Sequence, residues 1–164
     1  MKTIKKHLIL LTIILTASLT THAQINVYKG TSTFSGNIIC NLSNGKVYEG
    51  TSTFSGNVIC NVKGNTIYKE TSTFSGNVLY TVSDGKVYKG TSTFSGNIAF
   101  TIKDNKVYKG TSTFSGDILA TIRDGKVYSG ESNFSGNILF TIDGSVTTEE
   151  FVAIWVAVTH LQNE

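Results

Sequence analysis

Proline is absent from all 164 residues, and tryptophan and methionine occur once each. Without proline, the turns must be made by Gly, Asn, Asp and Ser. Histidine occurs three times, and only His160 lies beyond residue 23. Beyond that point no His/Cys set has metal spacing, and no glycine-rich loop leads from a strand into a helix. Nor does any later apolar run reach the length needed to cross a bilayer. These shortages argue against an enzyme, a metalloprotein and a membrane-spanning protein.

What is present begins with a leader. Lys2, Lys5 and Lys6 precede an apolar run from Leu8 to Leu19, and Thr21-His22-Ala23 supplies small residues beyond it. This pattern is expected to be a cleavable secretory signal over residues 1–23, with Gln24 as the new N-terminus. The expected compartment is secreted or periplasmic. Three of the 14 basic residues and none of the 11 acids lie in the leader. The formal charge of +3 therefore belongs to the precursor, and the remaining chain is neutral. A basic-patch case for nucleic acid fails, and a neutral surface favours association.

Residues 24–146 are built on a twenty-residue period. Six copies begin at Val27, Val47, Ile67, Val87, Val107 and Val127, which signals a repeat architecture. Within a copy, Ile98, Phe100 and Ile102 alternate with Ala99 and Thr101, as in a strand. Asn44-Gly45, Asp84-Gly85 and Asp124-Gly125 then mark two-residue hairpin turns, with Gly64-Asn65 and Asp104-Asn105 compatible. Such a turn pairs Ile122 with Val127 and Thr121 with Tyr128. Strict alternation then places Ile118, Ala120, Ile122 and Val127 on one face and Leu119, Thr121 and Tyr128 on the other. Both faces carry apolar groups, so each hairpin must lean on its neighbours.

The other half of the unit reads Thr-Ser-Thr-Phe-Ser-Gly. Its hydroxyls suit a connection between hairpins. Phe34 and its counterparts are expected to anchor that connection to the core. Because Glu70 replaces Gly30's counterpart, the site is not expected to demand positive φ very strongly. Cys40 and Cys60 occupy a position held later by Tyr80, Phe100, Ala120 and Phe140, an apolar packing site. With two strands per repeat the cysteines lie about 10 Å apart. That favours two buried thiols over a bridge.

The last copy departs from the pattern after Asp143-Gly144. Thr147 and Glu150 form a capping box, and Phe151, Ile154, Trp155, Val158 and Leu161 follow at helical spacing. The segment 147–164 is expected to be a helix about 21 Å long, apolar nearly all round, that caps an open stack or fills a closed ring.

The Tyr-Lys-Gly-x-Ser-Thr-x-Ser-x-x-Ile unit with its Asp-Gly-Lys turn resembles the tandem hairpin repeats of exported bacterial proteins. The ending Thr147–Trp155 resembles the short C-terminal helix that closes some of them. The nearest fold is the four-fold β-flower group, with hairpins radiating about an axis. The resemblance implies no activity, cofactor or substrate. The fold class expected is all-β: six hairpin repeats, stacked or radially arranged, with a short C-terminal helix.

The functional expectation is a non-catalytic, exported protein with a structural or adhesive role and no cofactor or metal. The alternative is a glycan- or envelope-binding module using the row Tyr28, Tyr48, Tyr68, Tyr88, Tyr108 and Tyr128, with avidity from repetition. Exposure of those rings separates the two. Self-association or an envelope glycan are the partners expected. A remote alternative is ice binding through the Thr31-x-Thr33 ranks, which would need flat strands at one-strand spacing.

Overall fold

The computed structural model describes residues 24–162; the leader expected over 1–23 lies outside them. Twelve strands run in order around a closed barrel. They are β1 Ile25–Lys29, β2 Ile38–Ser43, β3 Lys46–Glu49, β4 Val58–Lys63, β5 Thr66–Lys69 and β6 Val78–Ser83, followed by β7 Lys86–Lys89, β8 Ile98–Lys103, β9 Lys106–Lys109, β10 Ile118–Arg123, β11 Lys126–Ser129 and β12 Ile138–Asp143. The helix α1 spans Thr148–Leu161. Every neighbouring pair of strands is antiparallel, and strands consecutive in the chain are linked alternately by an eight-residue loop such as 30–37 and a two-residue turn.

The turns set the register. Ile122 faces Val127 and Thr121 faces Tyr128, as the Asp-Gly turn requires. Asp84 and Gly85 both take positive φ, 51° and 72°, the signature of a type I′ turn. In the second copy Gly64 is positive and Asn65 is not, which fits type II′, with glycine first. At Gly85 an added Cβ would lie 2.5 Å from the Ile102 carbonyl oxygen. The same glycine's carbonyl accepts the Ile102 N–H at 2.7 Å. Each turn thus continues the ladder into the next hairpin.

Closure of the ring settles stacking against radial arrangement in favour of the closed form. β12 pairs with β1, with Ile142 opposite Val27 and Thr141 opposite Tyr28. This repeats the register of the other hairpins, with the partner strand supplied from the far end of the chain. The sixth hairpin is a cut one: where its turn would fall, at Asp143-Gly144, the chain leaves for α1. Closure removes the exposed strand edges that an open stack would keep.

A ring of this size needs a filling. Twelve strands about 4.8 Å apart make a wall of roughly 9 Å radius, more when tilted. Side chains fill an eight-stranded barrel, but not this one. One helix, about 10–12 Å across with its side chains, fits the remaining space. α1 enters from the turn end, where Thr147 and Glu150 form the capping box: Thr147 N–H donates to Glu150 Oε2 at 2.9 Å and Glu150 N–H to Thr147 Oγ1 at 3.2 Å. Phe151, Val152, Ala153, Ile154, Ala157 and Val158 are buried in one core with the inward residues of the wall.

A helix has no six-fold symmetry, and the wall is adjusted to it at a single repeat position. α1 packs against β2 to β5. There the wall carries the small Cys40 and Cys60, both fully buried, and the Cys60 thiol lies 3.5 Å from the Ala153 carbonyl. Trp155 reaches the other side, with ring centroids 6.3 Å from Phe100 and 6.2 Å from Phe140. Between these two copies the position is Ala120.

The thiols are free, the outcome that two-strand spacing favours. Burial pushes both from 9.0 up to about 12, with the neighbouring Cys60 thiol adding to the effect on Cys40. Unfolded thiols ionise from about pH 9 while the folded ones stay neutral, so the unfolded state holds fewer protons there. Stability must therefore fall as pH rises from about 9 to 12. A Cys40→Ala/Cys60→Ala protein, carrying the residue of the fifth copy, should show a shallower decline in urea titrations than the native chain. Native thiols should also resist alkylation at pH 8.

Alternation fails at one place in every copy. Ile118 pairs with Tyr108 and Ala120 with Val107, so Leu119 is an extra, bulged residue. The bulge moves Ile118 to the tyrosine face, contrary to strict alternation. Leu119's counterparts Ile39, Ile59, Leu79, Ala99 and Leu139 pack against the core instead. The bulge carbonyl accepts an N–H from the residue that opens the next loop, as in Glu70 N–H to Ile59 O at 3.0 Å.

That loop-opening residue has positive φ in all six copies, including Glu70 at 52°. The expectation that this site makes only a weak demand for positive φ is therefore corrected: the ladder holds even a glutamate there. Left-handed backbone costs a non-glycine residue about 1–2 kcal/mol. Glu70→Gly should accordingly stabilise the protein by about 1 kcal/mol, seen as a higher urea midpoint with unchanged slope.

Candidate functional site

Outside the barrel, the residue opposite each tyrosine ties down a loop. Thr121 Oγ1 donates to the Gly130 carbonyl at 2.8 Å, and Thr81 and Thr101 do likewise to Gly90 and Gly110. Thr141 reaches the Gly30 carbonyl at 2.7 Å and so joins the last copy to the first. In the first two copies asparagine replaces threonine, and its two amide protons serve two carbonyls. Asn41 Nδ2 bonds Gly50 O at 2.9 Å and Ser52 O at 2.8 Å. The buried Asn41 Oδ1 has no protein partner.

The tyrosines lie on this outer face and outside the central core. Tyr28, Tyr48, Tyr88, Tyr108 and Tyr128 are buried and Tyr68 is half-buried. Buried rings offer no open groove, so the geometry required of a tyrosine-row glycan site is not met. The Thr31-x-Thr33 ranks fall in the loops between strands, not on a flat strand face.

The loops instead expose their phenylalanines. Phe34, Phe54, Phe74, Phe94, Phe114 and Phe134 are 74–81% exposed. The expected core anchors are thus the most exposed apolar groups of the wall. The physical reason is twofold: α1 already fills the interior, and each Phe lies five residues beyond its strand, outside the sheet. Only a defined backbone keeps them out. Each Phe N–H bonds a serine hydroxyl two residues earlier, at 3.1–3.5 Å. Each Phe carbonyl accepts from the residue three further on, at 2.8–3.0 Å, closing a 3-10 turn. Further bonds brace individual loops, as Asn77 Nδ2 to Ser72 Oγ at 2.9 Å and Ser112 Oγ to Asp117 Oδ2 at 2.6 Å.

The six loops leave the barrel at the same end, since each joins the same ends of its two strands. Neighbouring copies are two strands apart, about 10 Å at the wall. The arrangement is a fixed ring of apolar tips set among exposed Thr, Ser and Asn. A signal for it was present in the sequence: each Phe stands in a polar stretch with no alternating partner, so no face was available to bury it.

His160 is exposed near the C-terminal end of α1. Among the described residues no group of three His, Cys, Asp or Glu could hold a metal ion. No helix among them is long and apolar enough to cross a membrane.

Comparison with curated proteins and with solved structures yields no match. The six-fold repetition is nevertheless a family property rather than the four-fold one suggested by the repeat motif. Residues 27–155, from the first inward valine to the tryptophan that fills the barrel, match the family described as 6-fold beta flower protein, and the chain belongs to that family.

Proposed function

We propose that this is an exported, non-catalytic repeat protein with an adhesive role, and that its contact surface is the ring of six phenylalanine tips. The observation that carries this is their exposure of 74–81% on loops whose backbone is hydrogen-bonded in place. Six large apolar groups gathered at one end of the barrel fit an interaction surface. Burying one such ring is worth roughly 1.5–3 kcal/mol. After the first contact the others bind intramolecularly, so six weak contacts sum to durable attachment. Support for a non-catalytic role comes from the sequence, where the recurring acids belong to turns and only one histidine lies beyond the leader-like segment. The leader-like segment supports a secreted or periplasmic residence.

The test is graded removal. Phe→Ser at one, two, three and six tips is followed by binding to an alkyl-coated sensor and to isolated cell envelopes. Retention should fall with each step, and the six-fold variant should lose at least a hundredfold while melting no lower than the native protein. Undiminished adhesion by the six-fold variant would refute the proposal.

A further inference from the structure

The copies are so alike that their departures are informative. On the loop side of the barrel four acids replace neutral or basic residues of the other copies: Glu49 for Lys, Glu70 for Gly, Asp117 for Asn and Glu131 for Thr. Two have an evident structural role. Asp117 accepts from Ser112 at 2.6 Å, and Glu131 holds Lys106 at 2.9 Å. The other two come from adjacent copies and line one cavity of about 520 Å³, between the C-terminal end of α1 and the neighbouring wall.

That cavity has the make-up of a small-molecule site. Its volume falls within the usual range for ligand pockets. Ile59, Leu79, Val156 and Leu161 give it an apolar lining. Tyr80, the one tyrosine at the position held elsewhere by Cys, Phe or Ala, lines it too. Six-fold repetition cannot generate such a cavity. It exists because α1 is asymmetric within a symmetric wall.

The polar groups favour a positively charged ligand. Glu49 and Glu70 bring two negative charges, and the carbonyl end of α1 adds a partial one. Lys69 and His160 also line the cavity; the contact of Lys69 with Glu70 is 3.5 Å long, with both side chains over 60% exposed. Such a pair is weak and readily exchanged for another cation. An aromatic ring beside the carboxylates further favours positive charge. We propose that this cavity binds a small organic cation with an apolar body, of the aryl-alkylammonium class.

The proposal is independent of the phenylalanine ring. It is tested by calorimetry with 2-phenylethylammonium and its neutral counterpart 2-phenylethanol, on the native protein and on Glu49→Lys, Glu70→Gly and the double variant. Glu70→Gly restores the residue of all other copies and Glu49→Lys that of four of them, so neither should impair folding, and Glu70→Gly should raise the melting temperature. The cation should bind the native protein at least tenfold more tightly than the alcohol. Each single variant should weaken cation binding at least threefold, and the double variant should erase the preference. Equal binding of cation and alcohol, no binding of either at millimolar concentration, or a double variant that keeps the preference would each overturn the proposal.

Discussion

Trp155→Ala should destabilise the protein by about 3 kcal/mol, at the low end of the range for a large aromatic because the indole is only half-buried. No single wall residue replaces what the indole does. It meets Phe100, Phe140 and Phe151 at centroid distances of 6.2–6.3 Å and bridges the helix to the wall opposite Cys60. Its loss leaves a gap between two walls that the hydrogen-bonded ring cannot close around. Trp155→Phe should recover part of the loss. Urea titration monitored by far-UV circular dichroism gives the number, since the probe must not depend on the lost tryptophan. A cost below about 1 kcal/mol would mean that the helix lies against the barrel rather than within it.

Cys60→Phe should be at least as damaging, about 3 kcal/mol or more, at or beyond the usual limit for overpacking. The substitution looks harmless by repeat logic, because phenylalanine occupies this position in Phe100 and Phe140. Position on the ring decides otherwise. Cys60 is fully buried and its sulfur touches the Ala153 carbonyl at 3.5 Å, so a phenyl ring there would displace the helix. Cys60→Ala should cost far less. Equal stability of Cys60→Phe and the native protein would show that the six positions are equivalent, and that the helix is not off-centre.

These two outcomes separate what the sequence carries locally from what only the assembled ring decides. The hairpins were legible because their determinants are local. Asp124-Gly125 dictates a turn, and the turn dictates that Ile122 meets Val127. The capping box at Thr147 and Glu150 likewise located the helix start to the residue. The burial of Cys40 and Cys60 followed from the apolar residues at the same position in later copies, and strand spacing favoured their staying unbridged.

The bulge at Leu119 was not legible, since an extra residue leaves an apolar run looking like ordinary alternation. Nor was the positive φ of Glu70, because the constraint comes from the Ile59 carbonyl across the ladder and not from the loop sequence. Closure depends on β1 meeting β12, a contact between the two ends of the repeat array. Exposed phenylalanines ran against the general preference of large apolar residues for the interior. They are outside because the interior is taken, which becomes apparent only once the helix is placed there. The cavity beside Glu49 and Glu70 is of the same kind, a product of mismatch between helix and wall.

The central claim is that one off-centre helix fills a closed ring of six hairpins. It is tested most directly by nuclear Overhauser contacts from the Trp155 indole protons in the folded protein. The account predicts contacts to the rings of both Phe100 and Phe140, two copies apart, and none to Cys60. Contacts to a single copy, or to neither ring, would contradict it.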